Sequence, residues 1–541
     1  MINWASAIQQ IIDAHADLLE TTSELQKWVT GSSGGTAISS VTFDFSDGTS
    51  SVVNTIPEIV ANASGSQTIT AGENLSTGDR VKIYNDGGTA KVKKLVASSF
   101  GSASQYNTTS SSNAIAYDSD NGVGVVFYCE SIAAGDVEAK IFSITSSITY
   151  GSAQTVNTTT GIHTQTAVFH CSGDTTAGTI LFLYIDSGDE SKIKYKIGTS
   201  DGTTITMGSE GDVGSSTTSG ISTYVAKYDS TNNMILISAW DNSGFDLILK
   251  YGTVDGSTKS ISWGTDQTIL NDITTSASIT EGFALALDEA TGTAYVGYSD
   301  SSDDFYIRRY TTYNGVISAK TPTQLYVLGS DYSFNTLDFQ YDSANDQLIL
   351  FTGWKFSTVG SLMTFHIRYD TSTESAFELA RNTLGAYDTG LFDTRRGGID
   401  LDNNKIFYYA GNLSAAPLYV YEYDLDFTIV TTNSFHVYNE ILIPTKNCSI
   451  AVVDNLVFFS FKTDLASKYL DERENFAGII QSNVTSGNDA TVSILAGGIS
   501  TANSGLTIGQ KYYLQTDTSI GTTKNKFPVG IALDAGNLRL I

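Results

Sequence analysis

The sequence predicts an all-β fold: a seven-bladed β-propeller, with one coiled-coil helix ahead of it at the N-terminus. A unit of strand, tight polar turn and strand recurs along the chain. In its clearest copy, Tyr228-Asp229-Ser230-Thr231-Asn232-Asn233 leads into Met234-Ile235-Leu236-Ile237-Ser238-Ala239-Trp240. Tyr341-Asp342-Ser343-Ala344-Asn345-Asp346, Tyr117-Asp118-Ser119-Asp120-Asn121-Gly122 and Leu287-Asp288-Glu289-Ala290-Thr291-Gly292 each precede an apolar strand in the same way. Weaker copies are centred on Asp174, Asp402 and Asp454. The marker aspartates 118, 174, 229, 288, 342, 402 and 454 are 56, 55, 59, 54, 60 and 52 residues apart. A period near 50 in an all-β chain is a propeller signature. Abundant Gly, Ser, Thr, Asn and Asp, frequent Tyr and Phe, and scarce Pro and Lys also favour many short strands joined by tight turns.

Taken in order, residues 3–29 form the one helical pattern. Trp4, Ile8, Ile11, His15, Leu18, Thr22, Leu25 and Val29 alternate spacings of four and three, a heptad seam, and Ile12, Ala16 and Leu19 widen it. Residues 1–35 are therefore expected to be an oligomerising and anchoring segment. Isoleucine-rich seam positions with polar His15 and Thr22 favour three strands over two. Gly31-Ser32-Ser33-Gly34-Gly35 is a flexible hinge. Residues 36–96 read as a first stretch of small β-module. Thr68 to Tyr84 is strand, turn, strand, and Asn85-Asp86-Gly87-Gly88 is a hairpin turn before Ala90-Lys91-Val92-Lys93-Lys94-Leu95.

The segment from Thr68 to Leu95 resembles the small β-modules of tail-fibre and other virion proteins of tailed bacteriophages. The resemblance implies that the module is completed by a segment of the type Phe476-Ala477-Gly478-Ile479-Ile480-Gln481, then a turn and an alternating strand. In this chain that segment comes far later and ends in Thr491-Val492-Ser493-Ile494-Leu495-Ala496-Gly497-Gly498. The propeller, residues 97–474, is thus expected to be inserted into the small β-module at about Val96 and Glu474. A propeller closes its ring with its first and last strands in one blade, so its ends emerge together and can replace a hairpin loop. Blades are expected at 97–155, 156–212, 213–272, 273–330, 331–385, 386–440 and 441–470, the short last one completed by strand material from near residue 100. Residues 475–541 then complete the module and add a C-terminal β segment. There Gly505-Leu506-Thr507-Ile508-Gly509-Gln510-Lys511-Tyr512-Tyr513-Leu514 again resembles phage fibre sequences.

The formal charge of −27 argues against nucleic acid or an anionic membrane as partner, because phosphate binding needs a basic footprint. No apolar stretch approaches the length that spans a bilayer, and no signal-peptide pattern opens the chain. Cys129, Cys171 and Cys448 match neither a zinc spacing nor a disulfide framework, and Cys129 and Cys171 are expected to fill core space.

No catalytic, cofactor-binding or metal-ligating residue is assigned from the sequence. The histidines 15, 163, 170, 366 and 436 show no ligand spacing, and His366 alternates with Phe365 and Ile367 as a half-exposed sheet residue. Asp118-Ser119-Asp120-Asn121-Gly122 and Asp400-Leu401-Asp402-Asn403-Asn404 have the oxygen density of calcium loops. Neither reaches a downstream bidentate Glu, and plain Asx turns explain both. The doublets Arg308-Arg309 and Arg395-Arg396 are expected to be solvated pairs offsetting acid charge, each placing at most one guanidinium on a given face. Tyr306, Tyr310, Tyr313, Tyr332 and Trp354 are aromatic candidates for sugar or protein contacts that could equally pack between blades.

The expectation from the resemblance is a structural virion protein: a tail or head fibre, assembled in the host cytoplasm, trimeric through the N-terminal helix. It would attach to other virion proteins at that end and use the propeller to bind a host-surface glycan or receptor. No enzymatic activity, cofactor, nucleic-acid partner or membrane insertion is expected. The alternatives are a polysaccharide depolymerase tailspike, a capsid decoration protein without a receptor role, and a non-viral secreted adhesin.

Overall fold

In the computed structural model of the chain, the described residues are 41–44, 50–53 and, with breaks between strands, 66–540. The expected helix at 3–29 and the hinge at 31–35 lie outside them. Every described element is a strand, and no described helix is long and apolar enough to cross a membrane. The chain divides into two compact units, one made of residues 1–99 with 469–541 and the other of residues 100–468.

Residues 100–468 form seven successive antiparallel sheets with a propeller-like arrangement. The first runs Ser112–Asp118, Val123–Cys129, Val137–Ser143, Gln154–Asn157. The second runs His163–His170, Thr179–Asp186, Lys192–Ser200, Ile205–Asp212. The third, fourth, fifth and sixth sheets begin with Ile221–Asp229, Phe283–Asp288, Tyr332–Asp342 and Gly397–Asp400. The seventh joins Cys448–Val453, Leu456–Phe461 and Asp464–Tyr469 to Ser104–Gln105, a strand from before the first sheet. The first strand of each sheet lies against the first strand of the next, and that of the seventh lies against Ser112–Asp118. The ring is therefore closed. Its seam carries Ile115 N donating to Ser449 Oγ at 3.1 Å and an edge-on contact of Phe142 with Phe458 at 5.1 Å.

The sequence explains why the second strands are apolar without alternation. Thr179–Asp186 and Met234–Asp241 are buried at every position. Ile180, Phe182 and Tyr184 pack with Val125 and Phe127 of the first sheet, while Leu181, Leu183 and Ile185 pack with Ile235 and Ile237 of the third. A strand with a neighbouring sheet on both faces has no solvent side, so period-two polarity disappears.

Among the described residues, the marker aspartates 118, 229, 288 and 342 close the turn between the first two strands of their sheets. Asp118, Asp229 and Asp342 end their strands, and each accepts from backbone and Asn side-chain N–H groups of the next three residues. This is Asx-turn chemistry. Asp174 does not occupy the equivalent place. In the second sheet the strand ends at His170, Cys171 N donates to Thr179 O, and residues 172–178 intervene where only 119–122 do after Asp118.

The other unit holds a closed barrel in the order Ser66–Ala71, Asp489–Ile494, Gly478–Ile480, Arg80–Asp86, Thr89–Lys94. Its strands come from two parts of the sequence separated by the whole ring. Ser66–Ala71 pairs with Asp489–Ile494, and Val81 is partnered by Lys94 on one side and Gly478 on the other. Side chains tie the halves as well. Thr77 N donates to Asn483 Oδ1 at 2.8 Å and Ser486 N to Asn74 Oδ1 at 2.9 Å. Ala71, Leu75, Val81 and Val92 share one core with Ile480, Ala490 and Val492. Residues 499–540 add a five-stranded sheet whose Tyr512, Leu514 and Leu538 pack with Leu95, Phe476 and Ile479.

Candidate functional site at the junction of the first and second sheets

The turn after Asp118 carries Ser119, Asp120 and Asn121 toward the second sheet. There it meets His170, the last residue of that sheet's first strand. His170 Nε2 lies 3.3 Å from Asp118 Oδ1 and 3.1 Å from Asp120 Oδ2. Its other ring nitrogen, Nδ1, lies 3.3 Å from Ser119 Oγ. The Asp118 side chain is fully buried, that of His170 is 6% exposed, and that of Asp120 is 35% exposed. Asn121 Nδ2 donates to Asp118 Oδ2 and to the Ser200 carbonyl, and Gly178 N donates to Asp120 Oδ2 at 2.7 Å. The Gly178 N–H holds the Asp120 carboxyl below its ordinary pKa, with the His170 contact adding to it and burial opposing. Gly178 is required there. Its φ is +69°, and a Cβ would stand 2.2 Å from the Ser200 carbonyl oxygen.

This arrangement joins two carboxylates and an imidazole from neighbouring sheets, a set able to hold a cation or share a proton. In the sequence alone the Asp118 loop is a plain Asx turn and His170 has no ligand spacing. The available signal was the period itself, because one repeat along the chain is one sheet around the ring.

The inward strands carry a second polar feature. Asp338 of the fifth sheet pairs with Lys227 of the third at 3.2 Å and accepts from Ile399 N of the sixth at 2.9 Å. It also accepts from Gln340 Nε2. Burial alone would raise its pKa, but the Lys227 charge and these hydrogen bonds outweigh that, and the group is held below its ordinary range.

The other sequence candidates are placed as follows. Cys129 and Cys171 are buried free thiols, as core residues should be, and burial pushes the Cys129 thiol up to about 12. The side chains of Cys448, His15, His163, His436, Asp400, Arg395, Arg396, Tyr313, Tyr332 and Trp354 lie outside the described residues. Arg308 and Arg309 are not solvated pairs. Arg308 donates to the Ile269 and Lys320 carbonyls, and Arg309 makes an ion pair with Glu374 of the fifth sheet at 2.5 Å. Consecutive strand residues point to opposite faces, so the doublet clamps its own sheet to both neighbours. Tyr310 is fully buried, and Tyr306 stacks on Tyr298 at 5.7 Å. His366 is 9% exposed rather than half-exposed.

No family model and no curated protein matches the chain. Among solved structures it is similar to the periplasmic gluconolactonase PpgL of Pseudomonas aeruginosa, at 12% identity and a TM-score of 0.42, covering 70% of this chain and 99% of that one. It is also similar to Sqt1 of Saccharomyces cerevisiae, at 10% identity and a TM-score of 0.41, covering 69% and 99%. A 6-phosphogluconolactonase candidate of Bacteroides fragilis aligns at 8% identity and a TM-score of 0.41, covering 70% and 97%. Lactonases are among these structures, and the expectation that the chain is not an enzyme is withdrawn. A likeness at these scores assigns no reaction.

Proposed function

We propose that the chain is a structural protein of a tailed-phage particle, a trimeric fibre that presents a seven-bladed propeller for attachment to the host surface. The observation that carries this reading is the pairing of Ser66–Ala71 with Asp489–Ile494. These are the two halves of the module whose sequence resembles phage fibre modules, and the strand register makes them one barrel. The propeller would be the displayed element, inserted where a fibre module has a loop. Three copies on one coil bind a repeated glycan or receptor with avidity beyond that of a single site. The charge of −27 is compatible with this role, since it favours solubility at high local concentration.

The experiment uses purified full-length chain and phage particles. Antibodies raised against the chain should decorate intact particles in electron micrographs. Added in excess, the chain should slow adsorption of that phage to its host, and light scattering should give three times the mass of one chain. A chain found only inside infected cells and never on particles would refute the reading.

A further inference from the structure

We propose that Asp118, Asp120 and His170 hold a divalent first-row transition metal, with zinc the best match, at the junction of the first and second sheets. One ligand atom from each of Asp118, Asp120 and His170 lies within 4.8 Å of the other two. The two nitrogen–oxygen separations are 3.3 and 3.1 Å. Bonds of about 2.0–2.2 Å to zinc place tetrahedral ligand atoms roughly 3.3–3.5 Å apart. Both nitrogen–oxygen separations therefore match zinc ligation to within a few tenths of an ångström. The donor set also selects the ion. An imidazole with two carboxylates suits zinc and its neighbours in the series, whereas calcium wants six to eight oxygens and no nitrogen.

The electrostatics of the cluster call for a cation. His170 Nε2 faces two carboxylate oxygens, and its other ring nitrogen faces Ser119 Oγ. Lone pairs so placed repel unless an electrophile stands between them. A metal ion fills that role. A proton on Nε2 fills it with less charge, and the experiment below separates the two.

The surroundings have the form of a supporting shell. Ser119 fixes the ring, Asn121 fixes Asp118, and the Gly178 N–H fixes Asp120. Outer contacts of this kind orient metal ligands. Asp120 is the solvent-accessible member, so the ion and a water as fourth ligand reach the site from its side. The consequence is a cross-link between two sheets that also meet through apolar contacts and through hydrogen bonds such as Ser112 Oγ with Thr166 Oγ1 at 2.8 Å. The inference stands on the cluster alone and does not rest on the fibre reading.

The test uses the full chain, stripped with EDTA and dialysed. Titration with zinc chloride should show one equivalent bound at micromolar concentration or tighter, and zinc should raise Tm. Asp120→Asn and, separately, His170→Gln should weaken binding at least about tenfold and abolish the Tm rise. His366→Asn, in the fifth sheet, should bind as the parent does. Asp120→Asn alters a side chain at the solvent edge, so it keeps the test decisive if His170→Gln fails to fold. No stoichiometric binding at micromolar zinc, or binding that both variants leave unchanged, overturns the proposal. So does a His170 that titrates with protons alone and is unaffected by zinc.

Discussion

Lys227 Nζ stands 3.2 Å from Asp338 Oδ1, linking the first strand of the third sheet to the first strand of the fifth, past the fourth. Their side chains are 25% and 16% exposed, so water screens the pair only in part. Lys227→Met should cost about 1–3 kcal/mol in chemical denaturation, less than a fully buried pair because of that screening. Asp338→Asn in the Lys227→Met background should add little beyond the single change. The folded Asp338 carboxyl is held below 3.8, so the unfolded chain takes up its proton first as pH falls. Its contribution is therefore present above that value and lost as pH drops through the folded pKa. Asp338→Asn should flatten the acid limb of a Tm–pH curve, and an unchanged limb would remove the assignment.

His366 gives a second pH dependence in a different window. Burial pushes its imidazole down to about 4 from 6.5, with Asp342 partly opposing. The unfolded state binds the proton more readily between those values, so stability should fall as pH drops from 6.5 toward 4. Allowing for solvent, the loss is about 1–2 kcal/mol. Melting curves of the parent and His366→Asn at a series of pH values should converge at the acid end and differ in slope between.

The barrel should survive loss of the ring. Lys94 and Gly478 both partner Val81, on opposite sides. The two strand ends are thus two strand spacings apart, about 10 Å. Replacing residues 100–468 by a short Gly/Ser linker should leave a soluble β-rich product with a cooperative melt in circular dichroism. Aggregation, or a melt without cooperativity, would show that the barrel needs the inserted unit.

Much of the fold was legible because it repeats. The Asx turn after Asp118, Asp229 and Asp342 is local chemistry, readable from five consecutive residues, and its period counted the sheets. The strand from Ser104–Gln105 could be expected because a ring must be closed. Asp174 misled for the same reason that Asp118 informed. An Asp at the right interval looked like a strand end, but the second sheet ends its strand at His170 and makes a longer turn. His170 itself was not legible as a partner of Asp118 and Asp120, since their meeting depends on how two sheets stack. Arg309 and Glu374 are alike in this. Each is an ordinary charged residue in its own segment, and only sheet packing brings them together.

The split barrel also dictates a schedule. Val81 and Val92 leave the ribosome early, yet the strands that cover them, Gly478–Ile480 and Asp489–Ile494, are made almost four hundred residues later. At roughly 5–20 residues per second that delay lasts on the order of 20–80 s. Ser104–Gln105 waits almost as long for its partner at Asp464 and Leu465. Neither the ring nor the barrel can close before residue 464 is made, so the nascent chain must keep unpaired strand edges apart through most of its synthesis.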